Sequence, residues 1–319
     1  MGGGSPAGRR GASGGGCKGN VRAMLAAAGC RRSLQALLAG ATVATVAMGC
    51  PMVRAQQPGD NLGLELVDPK VLRVCADPAN LPFSNEHGDG FENKIAELLA
   101  AKLGKRLAYT WYPQSTGFVR QTLGSFRCDV IMGFPQGNDL VQSTNPYYRS
   151  VYALVTKQGA ELDGVDTLGD ARLKGKRLGI VAGTPPATYL VTQGLMATAR
   201  PYALVVDTRF DSVGQAMTRD IAGGEVAAGI LWGPLAGWYA RRTEPPLHVV
   251  PLLKDSGGPA LTYRITMGVR PTDQNWRREL NGLIRDSQPA ITRILLDYGV
   301  PLLDDGGHVI ASAPPAAKP

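Results

Sequence analysis

The sequence predicts an α/β protein of two lobes, each with a mainly parallel sheet flanked by helices, and two hinge crossings between the lobes. Strand and helix patterns alternate over residues 70–134 and again over 177–242, and the extended run 145–159 separates the two alternations. Strands that alternate with helices pair in parallel through right-handed crossovers. Each alternation therefore predicts its own sheet.

The first alternation opens with the strand VLRVCA and continues into a strongly periodic helix, 91–104. Apolar residues from Phe91 to Leu103 fall on one face of this helix, and Gly104 is a typical residue just after a helix end. Strands at 106–112 and 128–134 follow, with a short helix at 117–125 between them.

The second alternation predicts three strands and three helices. The strands are 177–182, 202–207 and 226–232, and the helices are 186–196, 212–224 and 234–242. Extended segments at 247–253 and 263–270 come next. Two helices, 273–287 and 289–299, then end the pattern, with Pro289 in a first turn where proline is tolerated.

A second lobe inserted into the first accounts for this order. We expect hinge crossings near 152–157 and 262–267, with the binding cleft between the lobes, beyond the carboxyl ends of the strands. The expected bounds are a lead-in at 56–69, lobe one at 70–155 plus 262–303, lobe two at 156–261, and a disordered tail at 304–319.

Charge is concentrated at the N-terminus. The net charge is +8, but residues 1–55 hold seven basic and no acidic side chains, which leaves 27 basic against 26 acidic residues beyond them. A nearly neutral folded part offers no basic stripe to phosphates. This distribution argues against nucleic-acid binding.

The same N-terminal stretch predicts export. Arg31 and Arg32 precede an uncharged run too short to span a membrane, and a small-x-Ala motif ends at Ala55, as in secretory signals. We therefore expect residues 1–55 to be a signal peptide with an N-terminal extension, a periplasmic protein, and no membrane span after cleavage. Lipidation at Cys50 and a true start at Met24 remain alternatives.

Two cysteines, Cys75 and Cys128, lie beyond the predicted signal. In an exported protein such a pair favours one disulfide, and the two residues belong to strands that neighbour each other in a usual doubly wound order. The alternative is a pair of buried free thiols.

This layout resembles the type 2 periplasmic solute-binding proteins related to the amino-acid binders of ABC transporters. The resemblance rests on the segments GFENKIAELLAAKLG, CDVIMGFPQG, TNPYYRS and LGIVAGTPPATYL, which occur in order and with matching gaps.

A tighter resemblance lies in ADPANLPFSN, TWYPQSTGFVRQTL and WGPLAG. These segments are similar to the J proteins of methanol-oxidation clusters, the MxaJ and XoxJ type. The resemblance implies a periplasmic accessory protein whose partners are a PQQ-dependent alcohol dehydrogenase and its c-type cytochrome. It implies no cofactor of the protein's own.

Two departures from the amino-acid binders matter. A closed cleft must pair both charges of an amino acid, with a cation for its carboxylate and an acid for its ammonium. The segment before NPYY contains no arginine, and Trp232 and Gly233 stand where those receptors carry the acid. A zwitterionic amino acid is therefore a poor ligand.

The candidate cleft residues follow predicted strands or open predicted helices. They are Asp77, Asn80, Phe83, Phe91, Glu92, Trp111, Gly183, Thr184 and Trp232. Alternatives stay open for several: Asp77 and Asn80 are also typical of Asx turns, Glu92 suits a helix first turn electrostatically, and the prolines after Thr184 remove two anion-binding N–H groups.

Aromatic and arginine side chains are enriched at protein interfaces. This predicts docking candidates in YYRS and WYARR, namely Tyr147, Tyr148, Arg149, Trp238 and Tyr239, although ordinary packing explains them equally well.

Neither catalysis nor metal binding is expected. The three histidines are far apart, no serine lies in a nucleophile elbow, and an acid–base role would fall on Asp77 or Glu92 alone. Three hypotheses remain. The favoured one is an accessory protein, the second a receptor for a small non-amino-acid ligand, and the third an enzyme on the same scaffold.

Overall fold

The computed structural model describes residues 65 to 310, and the predicted signal and most of the lead-in lie outside them. Eleven strands are described in this part of the chain. They are β1 (Val71–Ala76), β2 (Ala79–Asn80), β3 (Ser84–Asn85), β4 (Arg106–Trp111), β5 (Val130–Pro135), β6 (Gln142–Lys157), β7 (Leu178–Val181), β8 (Arg200–Tyr202), β9 (Ala228–Trp232), β10 (Leu247–Pro251) and β11 (Thr262–Val269).

Six α-helices connect these strands. They are α1 (Phe91–Leu103), α2 (Phe118–Gln121), α3 (Pro185–Thr192), α4 (Val213–Gly223), α5 (Gly233–Ala240) and α6 (Gln274–Asp297). None of the helices described is long and apolar enough to cross a bilayer.

The main sheet has the order β4-β1-β5-β11-β6-β9-β7-β8, with β10 also paired to β6. Strands β4, β1 and β5 are parallel to one another, and so are β9, β7 and β8. The predicted pair of parallel units is confirmed. The lobe bounds predicted from the sequence stay a prediction.

Strand β6 joins the two parallel units. Its first part pairs with β11, and its last part pairs with β9 on one side and β10 on the other, always antiparallel. At 16 residues it is far longer than a typical strand. The extended run predicted at 145–159 therefore corresponds to the long strand that links the two parallel units.

Helix α1 shows how local sequence sets these elements. Its buried face is Phe91, Ile95, Ala96 and Leu99, and it ends at Gly104, which has the left-handed φ of 63°. At its start, the Asn93 side chain accepts a hydrogen bond from the Gly90 N–H at 3.1 Å.

The disulfide between Cys75 and Cys128 is present, with the two Cα atoms 5.5 Å apart. It joins β1 to a position two residues before β5, and those strands are direct neighbours. The prediction of a bridge between neighbouring strands is confirmed.

A buried ionic network follows Cys128. The Asp129 carboxylate accepts hydrogen bonds from Arg73 at 2.6 and 2.7 Å and from Arg270 at 2.8 Å. Arg270 also pairs with Asp273 at 2.7 Å. This network fastens β1, β5 and the start of α6 to one another.

The two closing helices predicted from the sequence are one helix, α6, with Pro289 inside it. Its apolar residues Trp276, Leu280, Ile284, Ile291 and Leu295 are all buried in one cluster with α1 and the first parallel unit. Burial of this face on both sides of the proline holds the helix together despite the missing N–H donor.

Three other predictions need correction. Strand β8 covers 200–202 rather than 202–207, because its ladder with β7 ends at Tyr202 and leaves Leu204 and Val205 exposed. The short helix predicted at 117–125 has helical structure only over 118–121. Of the tail predicted to be disordered, residues 304–310 are paired with the segment before them, since Val309 bridges to Leu303 and the Ile310 N–H donates to the Leu302 carbonyl. Residues 311–319 of that prediction lie outside the described residues.

Candidate functional site

A cavity of about 280 Å³ lies beyond the carboxyl ends of β5 and β9. This is where ligands bind in open α/β sheets. Its lining residues are Phe83, Glu92, Gln114, Gly133, Pro135, Tyr148, Tyr152, Trp232, Tyr263 and Ile265.

Three aromatic rings form one corner of the cavity. Tyr152 of β6, Trp232 of β9 and Tyr263 of β11 have ring centroids 5.3 to 6.4 Å apart and interplanar angles of 62° to 77°. Rings at steep angles to one another turn edges and faces toward the same space. The surface of this corner is therefore mainly aromatic.

Glu92 is the one carboxylate among the lining residues. It sits in the first turn of α1, where the Phe91 N–H donates to the Pro82 carbonyl and the Glu92 N–H to the Phe83 carbonyl. Those loop carbonyls occupy the helix donors that an anion would need. What this end of α1 offers to the cavity is thus the carboxyl group, not an anion site.

The Glu92 side chain is buried at 8% exposure, and it has no hydrogen-bond or ion-pair partner in the part of the chain described. A methyl group on Gly133 of β5 would overlap its carboxyl group. Burial, with a smaller contribution from the negative charge of Asp77, raises the pKa of Glu92 to about 8. At neutral pH the cavity therefore presents a protonated, neutral carboxyl group.

Asp77 has the opposite surroundings. Its carboxylate accepts hydrogen bonds from the Ala79 N–H at 2.9 Å, the Gln114 N–H at 2.6 Å and the Thr208 hydroxyl at 2.9 Å. The bond to Ala79 is the Asx turn foreseen from the sequence. With its oxygens occupied, Asp77 organises the loop after β1 rather than facing a ligand.

Two contacts fasten this loop to the second half of the chain. One is the Thr208 hydroxyl on Asp77, and the other is the Tyr239 hydroxyl, which donates to the Leu81 carbonyl at 3.1 Å. Residues 131 and 158 positions apart in the sequence are thereby joined. Leu81, Thr208 and Tyr239 line a second groove, which shares Phe83 and Gln114 with the cavity.

Of the candidate cleft residues, Phe83, Glu92 and Trp232 line this cavity. Asn80 lies outside it and donates to the Gln114 side chain at 3.0 Å.

The other cleft candidates lie elsewhere, and their contacts explain why. Phe91 is fully buried against Phe83 and Tyr148, and Trp111 stacks on Tyr109 with ring centroids 4.5 Å apart. Gly183 and Thr184 precede α3 and are not among the lining residues.

The docking candidates need a larger correction. Tyr147 and Tyr148 are 1% and 8% exposed, so a partner cannot reach either ring. The Trp238 ring is stacked on Tyr298 and covered by the Arg242 guanidinium at 3.1 Å, and the Tyr239 hydroxyl is used at Leu81. Arg149 is half-buried and forms no ion pair within the described residues.

Sequence reasoning missed Tyr152 and Tyr263 as cavity residues. Tyr148 and Tyr152 are four positions apart on β6, and residues an even number apart on a strand share a face. That spacing was a usable signal for Tyr152. Tyr263 had no such signal, because it enters the cavity only through the pairing of β11 with β6.

The lining residues include no lysine or arginine. The expectation that a cation for an amino-acid carboxylate is missing therefore agrees with the cavity. No group of three metal-ligating side chains occurs in residues 65–310.

Comparisons with known proteins give the chain its relatives. No family model matches. The chain is 30% identical over 250 residues to protein MoxJ of Methylorubrum extorquens, and the match covers 74% of this chain and 83% of MoxJ.

Two crystal structures are similar over their whole length. Periplasmic binding protein XoxJ from Methylobacterium extorquens has a TM-score of 0.63 at 42% identity, covering 73% of this chain and 100% of XoxJ. MxaJ from Methlophaga aminisulfidivorans has a TM-score of 0.63 at 26% identity, with coverage of 73% and 100%. The fold is that of the periplasmic binding proteins, and the chain belongs to the MoxJ family.

Proposed function

We propose that the protein is a periplasmic accessory protein that binds a PQQ-dependent alcohol dehydrogenase and aids its assembly, activation or electron transfer to a c-type cytochrome. The observation that carries the proposal is the relationship to MoxJ over 83% of that protein's length. The segments ADPANLPFSN and WGPLAG, which resemble J proteins of methanol-oxidation clusters, agree with it.

The chemistry of the cavity supports a role other than amino-acid uptake or catalysis. It lacks the cation that an amino-acid carboxylate requires. Its two nearby acids do not form a working pair, since Asp77 is occupied by three donors and only Glu92 is unbonded. General acid–base catalysis by a pair of acids needs both side chains to be free to exchange protons with the substrate.

Export of the protein is part of the proposal. The Cys75–Cys128 disulfide supports an oxidising compartment such as the periplasm. We propose cleavage after Ala55, which an N-terminal sequence of protein purified from the periplasm would test directly.

A cationic pair is the proposed docking feature. Arg149 of β6 and Arg264 of β11 are directly opposed across antiparallel strands, and neither has an ion pair within residues 65–310. Opposed like charges destabilise a sheet unless something neutralises them. The neighbouring groove also holds Asp304 and Asp305, so a partner's acidic groups would compete with these for the arginines.

Calorimetric titration of the purified protein with its cognate dehydrogenase, at two salt concentrations, tests the proposal. We expect binding at about micromolar Kd or tighter, weakened by salt. Arg149→Ala with Arg264→Ala should weaken binding and flatten its salt dependence, because charged rim residues control those properties. Arg285→Ala, which removes an exposed arginine paired with Asp286, is the matched control. No heat and no co-elution at about tens of micromolar would contradict direct docking.

The cavity itself favours a second candidate function, a receptor that delivers a small non-amino-acid ligand to an ABC transporter. Five aromatic side chains and one unpaired carboxyl group enclose a space of about 280 Å³, close to the lower end for ligand pockets. Mass spectrometry of the protein under native conditions would reveal a ligand retained through purification, and repeated absence of added mass would count against this candidate.

A further inference from the structure

The cavity combines two features that attract positive charge. Its aromatic residues are Phe83, Tyr148, Tyr152, Trp232 and Tyr263, and its one ionisable acid is Glu92. The face of an aromatic ring carries negative electrostatic potential, and a cation over such a face is attracted most strongly where water is excluded. No cationic side chain of the lining already occupies this position.

The geometry of the rings suits a rounded ligand. Tyr152, Trp232 and Tyr263 stand pairwise at 62° to 77°, so they bound a corner on three sides. Phe83 and Tyr148 both pack on Phe91, which is fully buried and fixes their positions. The five aromatic side chains that line the cavity, called the aromatic cage below, are thus held in place by packing within the protein itself.

Glu92 gives the cage a counter-ion. Its carboxyl group is buried and has no partner within the described residues, and it packs directly against Gly133, whose missing side chain makes room for it. The titratable groups that act on it or feel its charge come from three neighbouring strands, and they are Asp77 after β1, Tyr109 of β4, and Tyr147 and Tyr148 of β6. None of these is a cation, so nothing described near Glu92 would neutralise its carboxylate.

We propose that this cavity binds a small organic cation of the alkylammonium class, with the aromatic rings as walls and the Glu92 carboxylate as its counter-ion. The proposal goes beyond dehydrogenase docking and names the ligand class for the receptor alternative, on which it rests. The exchange is balanced: the protonated Glu92 carboxyl group releases its proton to solvent, and the ligand cation takes the proton's place beside the carboxylate.

This exchange has a measurable consequence. Burial raises the pKa of Glu92 to about 8, so below that pH the cation must displace a bound proton. Affinity should therefore rise about tenfold per pH unit from about pH 6 to about pH 8 and become constant above that range.

The test is a titration with tetramethylammonium, choline and methylammonium chlorides, followed by calorimetry and tryptophan fluorescence. The neutral isostere of choline, 3,3-dimethylbutan-1-ol, is the comparison ligand. We expect at least one cation to bind, and choline to bind at least about tenfold more tightly than its isostere at about pH 8. Equal binding of choline and its isostere, or no binding of any of the cations at about 10 mM, would overturn the proposal.

Variants separate the two parts of the site. Glu92→Gln keeps the shape of the side chain and should weaken cation binding at least about tenfold at pH 8 and remove its pH dependence. Trp232→Leu should weaken binding at every pH without changing the slope. Glu97→Gln changes an exposed acid on the same helix, and binding should be unaffected. Wild-type affinity in Glu92→Gln, with folding verified by circular dichroism, would also overturn the proposal.

The same variants distinguish this proposal from dehydrogenase docking. Glu92→Gln should bind the dehydrogenase as the unmodified protein does, because Glu92 is buried away from any partner's reach. Failure of cation binding with docking intact would reject the ligand class alone. Failure of docking with cation binding intact would reject the accessory role and leave the receptor.

Discussion

Strand β5 has a buried acid at each end, and the two acids have opposite environments. At its amino end, Asp129 is 1% exposed and accepts hydrogen bonds from Arg73 and Arg270. At its carboxyl end, Gly133 touches Glu92, which is 8% exposed and has no partner within the described residues.

The difference separates a structural acid from one available for binding. A buried carboxylate is tolerated as an ion when charged donors surround it, and otherwise it keeps a proton. Asp129 satisfies the first condition and joins three elements of the fold. Glu92 has no hydrogen-bond donor and no cation beside it within the described residues. Its carboxyl group is therefore free to bind a group in the cavity.

The largest expected effect comes from removing the partnered acid. Asp129→Ala leaves the buried Arg270 with Asp273 as its one acidic partner among the described residues, and it should lower the free energy of unfolding by about 3 kcal/mol or more. Urea unfolding measures the change. Asp286→Ala removes an exposed acid paired with an exposed arginine, and its effect should stay within about 0.5 kcal/mol. Equal losses in the two variants would contradict the distinction.

Replacing Glu92, the acid without a partner, should instead raise the free energy of unfolding at high pH. Between about pH 4.5 and about pH 8 the folded protein holds a proton on Glu92 that the unfolded chain has released, so rising pH favours unfolding over this range. Relative to Glu92→Gln, the wild type should lose stability across that window, by at most about 5 kcal/mol.

Urea unfolding at about pH 5 and about pH 8 gives this difference. Glu97→Gln, on the exposed face of the same helix, should show no such pH-dependent difference from the wild type. A constant difference between wild type and Glu92→Gln at both pH values would mean that Glu92 is ionised in the folded protein.

Adding a methyl group against the Glu92 carboxyl group should have a smaller effect on stability. Gly133→Ala places a methyl group against the Glu92 carboxyl group and should cost about 1 to 3 kcal/mol of stability. Most of that loss should disappear in a Glu92→Ala background, which a double-mutant cycle would reveal. Gly223→Ala is the control, since nothing lies near its added methyl group. Additive effects of the two changes would contradict direct contact.

The smallest effect is expected at the hydrogen bond between Thr208 and Asp77. Thr208→Val removes the hydroxyl from Asp77, but two backbone donors remain there, so the loss should be about 1 kcal/mol. Hydrogen exchange should accelerate in residues 203–211. Thr192→Val changes a hydroxyl bonded within its own helix and should leave that segment unaffected. Unchanged exchange in Thr208→Val would show that this hydrogen bond does not restrain the segment.

Periodicity predicted much of the fold because apolar faces are local properties. The α1 face from Phe91 to Leu99 and the alternating strands around Cys75 could be located from the sequence alone. The helix break expected at Pro289 was wrong because burial of Ile291 and Leu295 in the shared cluster outweighs a local preference. The strand predicted at 202–207 differs from β8 because the apolar residues Leu204 and Val205 lie on the surface.

The candidate site was less predictable. Strand-end reasoning located Phe83, Glu92 and Trp232, because the carboxyl ends of parallel strands share one edge. The protonated state of Glu92 could not be predicted, since it depends on burial in the folded protein and, to a smaller degree, on the charge of Asp77. Tyr263 likewise needed the register of β11 against β6.

The continuity of β6 has a mechanical consequence. This strand carries Tyr148 and Tyr152 into the cavity, pairs with β11 along its first part, and pairs with β9 and β10 along its last part. The last part of β6 is thus held on both sides, whereas its first part is paired with β11. A ligand that displaced either ring would act on the one strand that both parallel units share, and a change of twist in β6 would reach both halves of the sheet.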